Sequence, residues 1–582
     1  MRPVPTLSPV LVLALAGSAS GQAFFPAELE LSSLDGTTGF VMSGIDALDQ
    51  SGQSVSSAGD VNGDGIDDLI IGAFGADPNG VGGAGESYVV FGRATGFSTS
   101  MDLSSLDGTS GFIINGIDRE DFSGFSVSAA GDVNGDGIDD LIIGAPGGEP
   151  NGNSNAGESY VVFGHMGGFP TSLELSALDG TNGFVLNGTD AYDNSALSVS
   201  CAGDFDGDGL DDLIIGAPGG DPNGSSAAGE SFIVFGRMTP FNASMELSSL
   251  NGTTGFVING VDASDNSGGS VSAAGDVNGD GFSDVIIGAP LADPNGVDRA
   301  GESYVVFGGP GVGAGGSFEL SSLNGTNGFV INGINAVDFS GESVSGAGDV
   351  NGDGLDDVII GSFRADPYGN TYAGESYVVF GSSTGFPASL DLSSLNGING
   401  FVLHGRNPYD RSGGAVSSAG DVNGDGIDDL LIGAKYADPN GLDRAGESYV
   451  VFGRTGAFPA SIGPSSLDGT NGLVLSGVDT YDASGSSVSS AGDVNGDGID
   501  DIIIGATGAD PNGNSAAGES YVVFGRRCLA DTNHDGMLTP ADFTAWIAAF
   551  NAMASECDQN GDGNCDASDF TAWIANFNAG CG

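Results

Sequence analysis

The chain is a succession of short apolar or alternating segments, each closed off by Gly, Asp, Asn or Pro. Residues 111–164 show the parts in order: GFIING (111–116), SVSAAGD (126–132), DDLIIGA (139–145) and GESYVVFG (157–164). Segments this short, bounded by turn formers, predict β-strands. Ala-Gly-Asp recurs with its Asp at 60, 132, 204, 276, 349, 421 and 493, a period of 72 residues with one interval of 73. That period is too long for a one-strand solenoid coil and carries no helical spacing. Four strands per unit, seven times over, predict an all-β seven-bladed β-propeller. Within a blade the SVSSAGD strand is expected innermost, then DDLIIGA, then ESYVVFG, with the next GFV segment outermost. The last copy, Ser487 to Gly525, has no GFV segment after it, and the first GFV segment, Gly39 to Gly44, has no blade before it. The N-terminal strand is therefore expected to complete blade seven and clasp the ring. An open array would leave two long edges exposed.

Between the first two strands of each unit stands D-x-[ND]-x-D-G-x-x-D. Oxygens at positions 1, 3, 5 and 9 of a tight loop can converge on one hard cation, the position-7 carbonyl adding a ligand and Gly at 6 permitting the turn. The candidate ligands are Asp60, Asn62, Asp64, Ile66 and Asp68 in unit one, and Asp132, Asn134, Asp136, Ile138 and Asp140 in unit two. Unit three offers Asp204, Asp206, Asp208, Leu210 and Asp212, and unit four Asp276, Asn278, Asp280, Phe282 and Asp284. Units five, six and seven offer Asp349, Asn351, Asp353, Leu355 and Asp357; Asp421, Asn423, Asp425, Ile427 and Asp429; and Asp493, Asn495, Asp497, Ile499 and Asp501. Such a set suits Ca²⁺, which takes about six to eight oxygens, better than the stricter octahedron of Mg²⁺. No Cys or His is in reach for a softer metal. Copy three has Asp206 where the others have Asn, and copy four has Ser283 where the others have a second Asp. A Glu opens the third strand of every unit (Glu86, Glu158, Glu230, Glu302, Glu375, Glu447, Glu519) and is read as structural.

Phe-Gly closes each unit, as at Phe91-Gly92 and Phe163-Gly164, and Gly-Ala-Pro stands at 144–146, 216–218 and 288–290. With DVNGDGIDDLIIGAP between them, these segments resemble FG-GAP repeats, the blades of the integrin α-subunit propeller and of many bacterial surface proteins. The resemblance spans about residues 28–527 and implies calcium in the blade hairpins. It departs at Gly-Ala-Phe 72–74 and Gly-Ser-Phe 361–363.

After Arg527 the pattern changes. Asp531, Asn533, Asp535, Met537, Thr539 and Asp542 take the ligand positions of a twelve-residue calcium loop, as do Asp558, Asn560, Asp562, Asn564, Asp566 and Asp569. Each loop runs into a near-identical helical segment, FTAWIAAFN (543–551) and FTAWIANFN (570–578). Phe543, Trp546, Ile547 and Phe550 fall on one helix face, and Phe570, Trp573, Ile574 and Phe577 repeat it. The two copies resemble a type I dockerin, more narrowly the dockerin-type anchors of some exported bacterial proteins, and imply a cohesin-like or surface partner. Positions 10 and 11, where a dockerin meets its cohesin, are Pro540-Ala541 and Ala567-Ser568 rather than the usual hydroxyl pair. Cys528, Cys557, Cys565 and Cys581 predict two disulfides in this segment, with three connectivities open.

The charge changes the functional picture. The 582 residues carry 77 Asp+Glu against 13 Lys+Arg, a formal −64, and 105 Gly. With so few cations, no basic surface is expected for nucleic acid or an anionic membrane. The 39% hydrophobic content does not fit a disordered acidic tract. Residues 1–23, with Arg2, an apolar run from Val10 to Ala16 and small residues ending at Ala23, read as a secretory signal peptide too short to span a bilayer. The expected organisation is a signal peptide (1–23), the propeller (28–527) and a dockerin-like module (528–582), secreted or at the cell surface, with up to nine Ca²⁺. Catalytic signals are missing: His165, His404 and His534 form no HExxH, there is no Walker loop, and the GxSxG at Gly381–Gly385 lies in a Gly/Ser linker. The expectation is a non-enzymatic adhesion or ligand-binding protein, its ligand a protein or a glycan, anchored through its C-terminal module. The alternatives are a polysaccharide-active enzyme or carbohydrate-binding component of a dockerin–cohesin assembly, and a purely structural surface-layer protein.

Overall fold

A computed structural model describes residues 25–526, 530, 532, 540–552, 557, 565 and 567–579. Seven five-stranded sheets form the blades of a propeller. Blade one runs outward through Ser54–Gly59, Asp68–Ala73, Glu86–Val90 and Gly111–Asn115, all antiparallel, to Ser172–Glu174, which joins in parallel. The innermost strands of neighbouring blades pack on one another around the whole ring, blade seven closing on blade one. The second strand of every blade is buried at all six positions, which is why its sequence is an unbroken apolar run rather than an alternation. Buried side chains of adjacent blades form shared clusters, so most of the core lies between sheets. Blades approach closely where glycine allows it: a Cβ on Gly72 would sit 1.9 Å from the Gly124 carbonyl oxygen in the loop entering blade two.

The expected clasp is present. Gly39–Ser43 pairs antiparallel with Glu519–Val523 as the fourth strand of blade seven. The expectation of four strands with the GFV segment outermost is corrected. Each GFV strand is flanked by a fifth strand taken from the next unit, such as Ser100–Asp102 on Gly39–Ser43 and Ser172–Glu174 on Gly111–Asn115. The chain leaves one blade's third strand, crosses to the rim of the preceding blade, and returns to lay its own fourth strand. The physical gain is a covered edge. The N-terminus follows the same rule and serves a second blade, since Glu28–Glu30 is the fifth strand of blade six, on Gly472–Ser476.

Helices Pro540–Ala552 and Ala567–Ala579 follow the propeller. Their rings pack across the pair, Phe543 on Trp573 at 5.1 Å and Trp546 on Phe570 at 5.4 Å. Trp546 and Trp573 are buried, but Ile547 and Ile574, expected on the same face, are exposed. A helix pair has a narrow seam, and the larger rings occupy it. Cys557 and Cys565 form a disulfide, which selects among the three connectivities; Cys528 and Cys581 lie outside the described residues. Also outside are residues 1–23, Asp531, Asn533, Asp535, Met537, Thr539, Asp558, Asn560, Asp562, Asn564 and Asp566. Asp542 and Asp569, the last positions of the two C-terminal loops, are described and buried.

Candidate metal centres and the opposite face

The antiparallel order puts the loops between strands one and two on one face, and those between strands two and three, and four and one, on the other. The seven acidic loops therefore share one face. In blade one, Asp60 accepts hydrogen bonds from the Asp64 and Gly65 N–H groups at 2.9 and 2.7 Å, and Asp64 from Ile66 N–H at 3.1 Å. The position-1 and position-5 aspartates repeat this in other blades, at Asp132 and Asp136, Asp276 and Asp280, Asp349 and Asp353, Asp421 and Asp425, and Asp493 and Asp497. Asn62 turns its side chain to Asp68 at 3.1 Å, as do Asn134, Asn278, Asn351, Asn423 and Asn495 to theirs. In blade three, carboxylate oxygens of Asp204, Asp206 and Asp208 lie within 4.8 Å of one another.

The last ligand position is the deepest. Asp68, Asp140, Asp212, Asp284, Asp357, Asp429 and Asp501 are fully buried. Burial, aided by the charges of Asp64 and Asp60, pushes Asp68 up to about 8, and burial raises the other six likewise. Each accepts a hydrogen bond from the Gly that closes its unit, Gly92 N–H to Asp68 at 2.9 Å and so on around the ring. The Phe-Gly pair thus anchors the loop. Oxygen donors crowd a buried carboxylate with no Lys or Arg in ion-pair distance among the described residues, and the Asn423 Oδ1 is buried with no hydrogen-bond donor. A divalent cation fits that deficit.

The eighth loop residue has a separate role that its place in the sequence does not reveal. Asp139 accepts a hydrogen bond from the Asp60 N–H of the preceding blade at 2.8 Å. Asp211, Asp356, Asp428, Asp500 and Asp67 do the same for Asp132, Asp276, Asp349, Asp421 and Asp493. Six carboxylates staple neighbouring loops around the ring. At the seventh junction Ser283 stands in this position, and its own N–H donates to the Asp204 carbonyl at 3.2 Å. The departure in copy four is a changed blade junction.

On the opposite face the Glu that opens the third strand, expected to be structural, is hydrogen-bonded by a Tyr of its own strand in six blades. Tyr88 OH donates to Glu86 at 2.8 Å, and a Tyr does the same for its Glu in blades two, four, five, six and seven. Seven buried aspartates, Asp49, Asp121, Asp193, Asp265, Asp338, Asp410 and Asp482, lie in the loops entering the blades. Burial pushes Asp482 up to about 7, with the Asp479, Glu519 and Asp510 charges adding to it. Its folded value lies above its unfolded one, so its contribution is present below about pH 4 and is lost as pH rises through about 7. Asp482→Asn keeps the acceptor used by Asp479 N–H. It should raise the melting temperature by several degrees at pH 8 and leave it unchanged at pH 4. Equal melting of variant and parent at pH 8 would show that Asp482 is not strained by ionisation.

That face also carries a break in repetition. The pair after the second strand is Phe74-Gly75, Pro146-Gly147, Pro218-Gly219, Pro290-Leu291 and Thr507-Gly508 in five blades, but Phe363-Arg364 and Lys435-Tyr436 in blades five and six. Arg364 lies over Phe339 at 4.5 Å, and Arg411 and Arg444 lie 4.7 and 5.3 Å over Tyr436. Tyr372 and Tyr409 meet edge to face at 6.0 Å beside them. Among the described residues, no carboxylate forms an ion pair with Arg364, Arg411, Lys435 or Arg444, although the chain holds 77 acids. Glu342 feels the charges of Lys435 and Arg364 at longer range. Sequence pattern does not disclose this patch, because its members come from loops up to 105 residues apart (339 to 444). The GxSxG at Gly381–Gly385 is a turn after a third strand and runs into the strand Ser389–Asp391, not into an α-helix.

Comparison with known proteins places the repeats. The FG-GAP repeat model matches residues 51–90, 123–162, 197–234, 267–306, 340–379, 412–451 and 484–523. Integrin alpha pat-2 of Caenorhabditis elegans is 31% identical over 252 residues, 42% of this chain and 18% of that protein. Integrin alpha-V of Gallus gallus is 30% identical over 265 residues, covering 44% and 22%. Phosphatidylinositol-glycan-specific phospholipase D of Homo sapiens is 32% identical over 190 residues, covering 32% and 21%. The chain spans about a fifth of the length of these relatives.

Proposed function

We propose, from the premise that this chain is an FG-GAP repeat β-propeller, that it is an exported, calcium-loaded, non-enzymatic protein that binds a protein ligand. The observation that carries the reading is the cluster of Arg364, Arg411, Lys435 and Arg444, unpaired and stacked on aromatic rings on one face of blades five and six. Guanidinium groups seated over rings can still turn N–H donors to carboxylates, and the ring contact limits the entropy lost on binding. The fitting ligand is therefore a protein surface rich in Asp and Glu side chains. The relatedness to integrin α chains supports a ligand-binding role and an extracellular or surface location.

Calcium would be held in each blade by the acidic loop, from Asp60 to Asp68 in blade one and its six counterparts, and by two further loops in the C-terminal segment. FG-GAP repeats of the integrin α kind generally bind divalent cations such as Ca²⁺. In this chain the cations would act as structural counter-charge, stiffening the face opposite the patch. The C-terminal segment, with two aromatic-faced helices and a disulfide, would serve as the anchor. Among the described residues, no helix is long and apolar enough to cross a membrane.

The test is retention on immobilised peptides rich in Asp and Glu, against Lys-rich controls. The parent should bind only the acidic set, and weaken as the Debye length falls from about 10 Å at 0.1 M salt to about 3 Å at 1 M. Arg411→Glu with Lys435→Glu should cut that binding by about tenfold or more without changing the melting temperature. Equal retention of parent and variant would remove the patch from ligand binding.

A further inference from the structure

We infer that the outer edge of blade five is a saccharide-binding cleft, built from residues other than the cationic cluster and for a different ligand class. In blades one to three a polar network closes the same edge. Asn115 and Asn79 both donate to Glu174 in blade one, at 2.6 and 3.4 Å. Asn187 and Asn151 hold Glu246, and Asn259 and Asn223 hold Glu319, in the same way. In blade five the three corresponding residues are His404, Tyr368 and Gly463, so every member of the network is replaced at once. In the register that pairs Asn115 with Glu174, blade five pairs Val402 with Ser461 and Leu403 with Ile462, and His404 and Gly463, the next residues of the two segments, both line the space beyond. The fifth strand shortens to Ser461–Ile462.

A cavity of about 530 Å³ opens there, within the range of about 300–1,000 Å³ typical of ligand sites. His404 turns away to Glu375, its Nδ1 at 2.8 Å from Oε1, and Tyr377 OH donates to the other oxygen of that carboxylate. This pair orients the imidazole from behind. Tyr368 meets the His404 ring edge to face at 4.8 Å and is 84% exposed at the cleft rim. Its φ is +55°, a conformation the other six blades give to Asn and one that a bulky side chain rarely adopts.

The lining combines two kinds of group. Tyr368 offers a ring face, while Phe458 is buried between the Arg454 guanidinium at 4.3 Å and the Phe401 ring at 4.4 Å and forms the floor with its edge. Around them stand His404, Arg454, Ser461 and Asn471, which present donors and acceptors side by side. A sugar ring has the complementary anatomy, an apolar C–H face and a rim of hydroxyls that both donate and accept. A lipid would need a dry lining, and a polyphosphate would need more than one cation.

Isothermal titration with short oligosaccharides of glucose, N-acetylglucosamine and uronic acids tests this on the full calcium-loaded chain. The parent should bind at least one set. The triple variant Tyr368→Asn, His404→Asn, Gly463→Glu rebuilds the network of blades one to three. It should melt at or above the parent temperature and bind about tenfold more weakly or worse. Tyr368→Asn alone, which installs the residue the other blades use, should weaken binding without loss of stability, and decides the matter if the triple variant folds poorly. Absence of binding by the parent, or binding by folded variants equal to the parent, overturns the proposal. Neither result bears on the acidic-ligand reading, whose residues lie outside the cleft.

Discussion

Chelation of divalent cations should lower the melting temperature of this propeller by tens of degrees and expand the chain. A ligand that binds only the folded state stabilises by about 2.7 kcal/mol when present at 100 times its dissociation constant. Seven such loops supply about 19 kcal/mol, more than the roughly 5–15 kcal/mol that separates a domain from its unfolded state. The pH dependence provides a second readout with a definite sign. Without cations, burial raises Asp68, Asp140, Asp212, Asp284, Asp357 and Asp501 to about 8. The folded state then binds more protons than the unfolded one between about pH 4 and 8, so stability falls as pH rises through that window. With calcium the carboxylates stay ionised and the slope reverses, stability being lost as pH falls and the cations leave. Melting curves with and without chelator at pH 5 and pH 8 check both statements. Superimposable curves would mean that the backbone hydrogen bonds of Asp60 and its counterparts close these loops unaided.

Deleting residues 25–45 should cost the protein its monomeric, soluble state. The deletion removes Gly39–Ser43, whose Phe40 and Met42 are fully buried, and lays bare the apolar strand Glu519–Val523. It also strips Glu28–Glu30 from blade six and leaves Ser100–Asp102 without its partner. Losing a buried Phe alone costs about 3–5 kcal/mol, and an unpaired central strand invites pairing with a second copy. Phe25, packed at 5.6 Å on Phe452 and under the Arg526 guanidinium at 4.8 Å, goes with it. Size-exclusion chromatography and melting curves read the result. A monomeric deletion variant that melts like the parent would show that the ring closes without this strand.

Much of the site is legible from residues alone. The loop ligands stand at fixed offsets within nine residues, where a turn brings them together, so spacing is enough to find them. The Glu–Tyr pairs lie two residues apart on one strand face, and their structural role follows from that repetition. The six inter-blade staples are not legible, because Asp139 and Asp60 are 79 residues apart and the second Asp of each DD pair looks like a duplicate ligand. Nor is the blade-five cleft legible, since Tyr368, His404 and Gly463 come from three separate segments spread over 95 residues (368 to 463).

By itself the sequence determined the number of blades, the order of the first four strands, the acidic loops and the N-terminal closure. These follow from local pattern repeated seven times, which leaves little choice of register when one strand in each unit is apolar on both faces. Tertiary structure alone decided the fifth strand. Segments such as Ser100–Asp102 and Ser172–Glu174 are three residues long and exposed or half-buried, so they carry too few apolar positions to show alternation. They become strands only because a preceding blade offers an unpaired edge whose N–H and C=O groups need partners. The same long-range pairing sets Gly463 beside His404 and brings the scattered cations of blades five and six onto one face. Adjacency across a rim is a property of the closed ring, and no stretch of chain contains it.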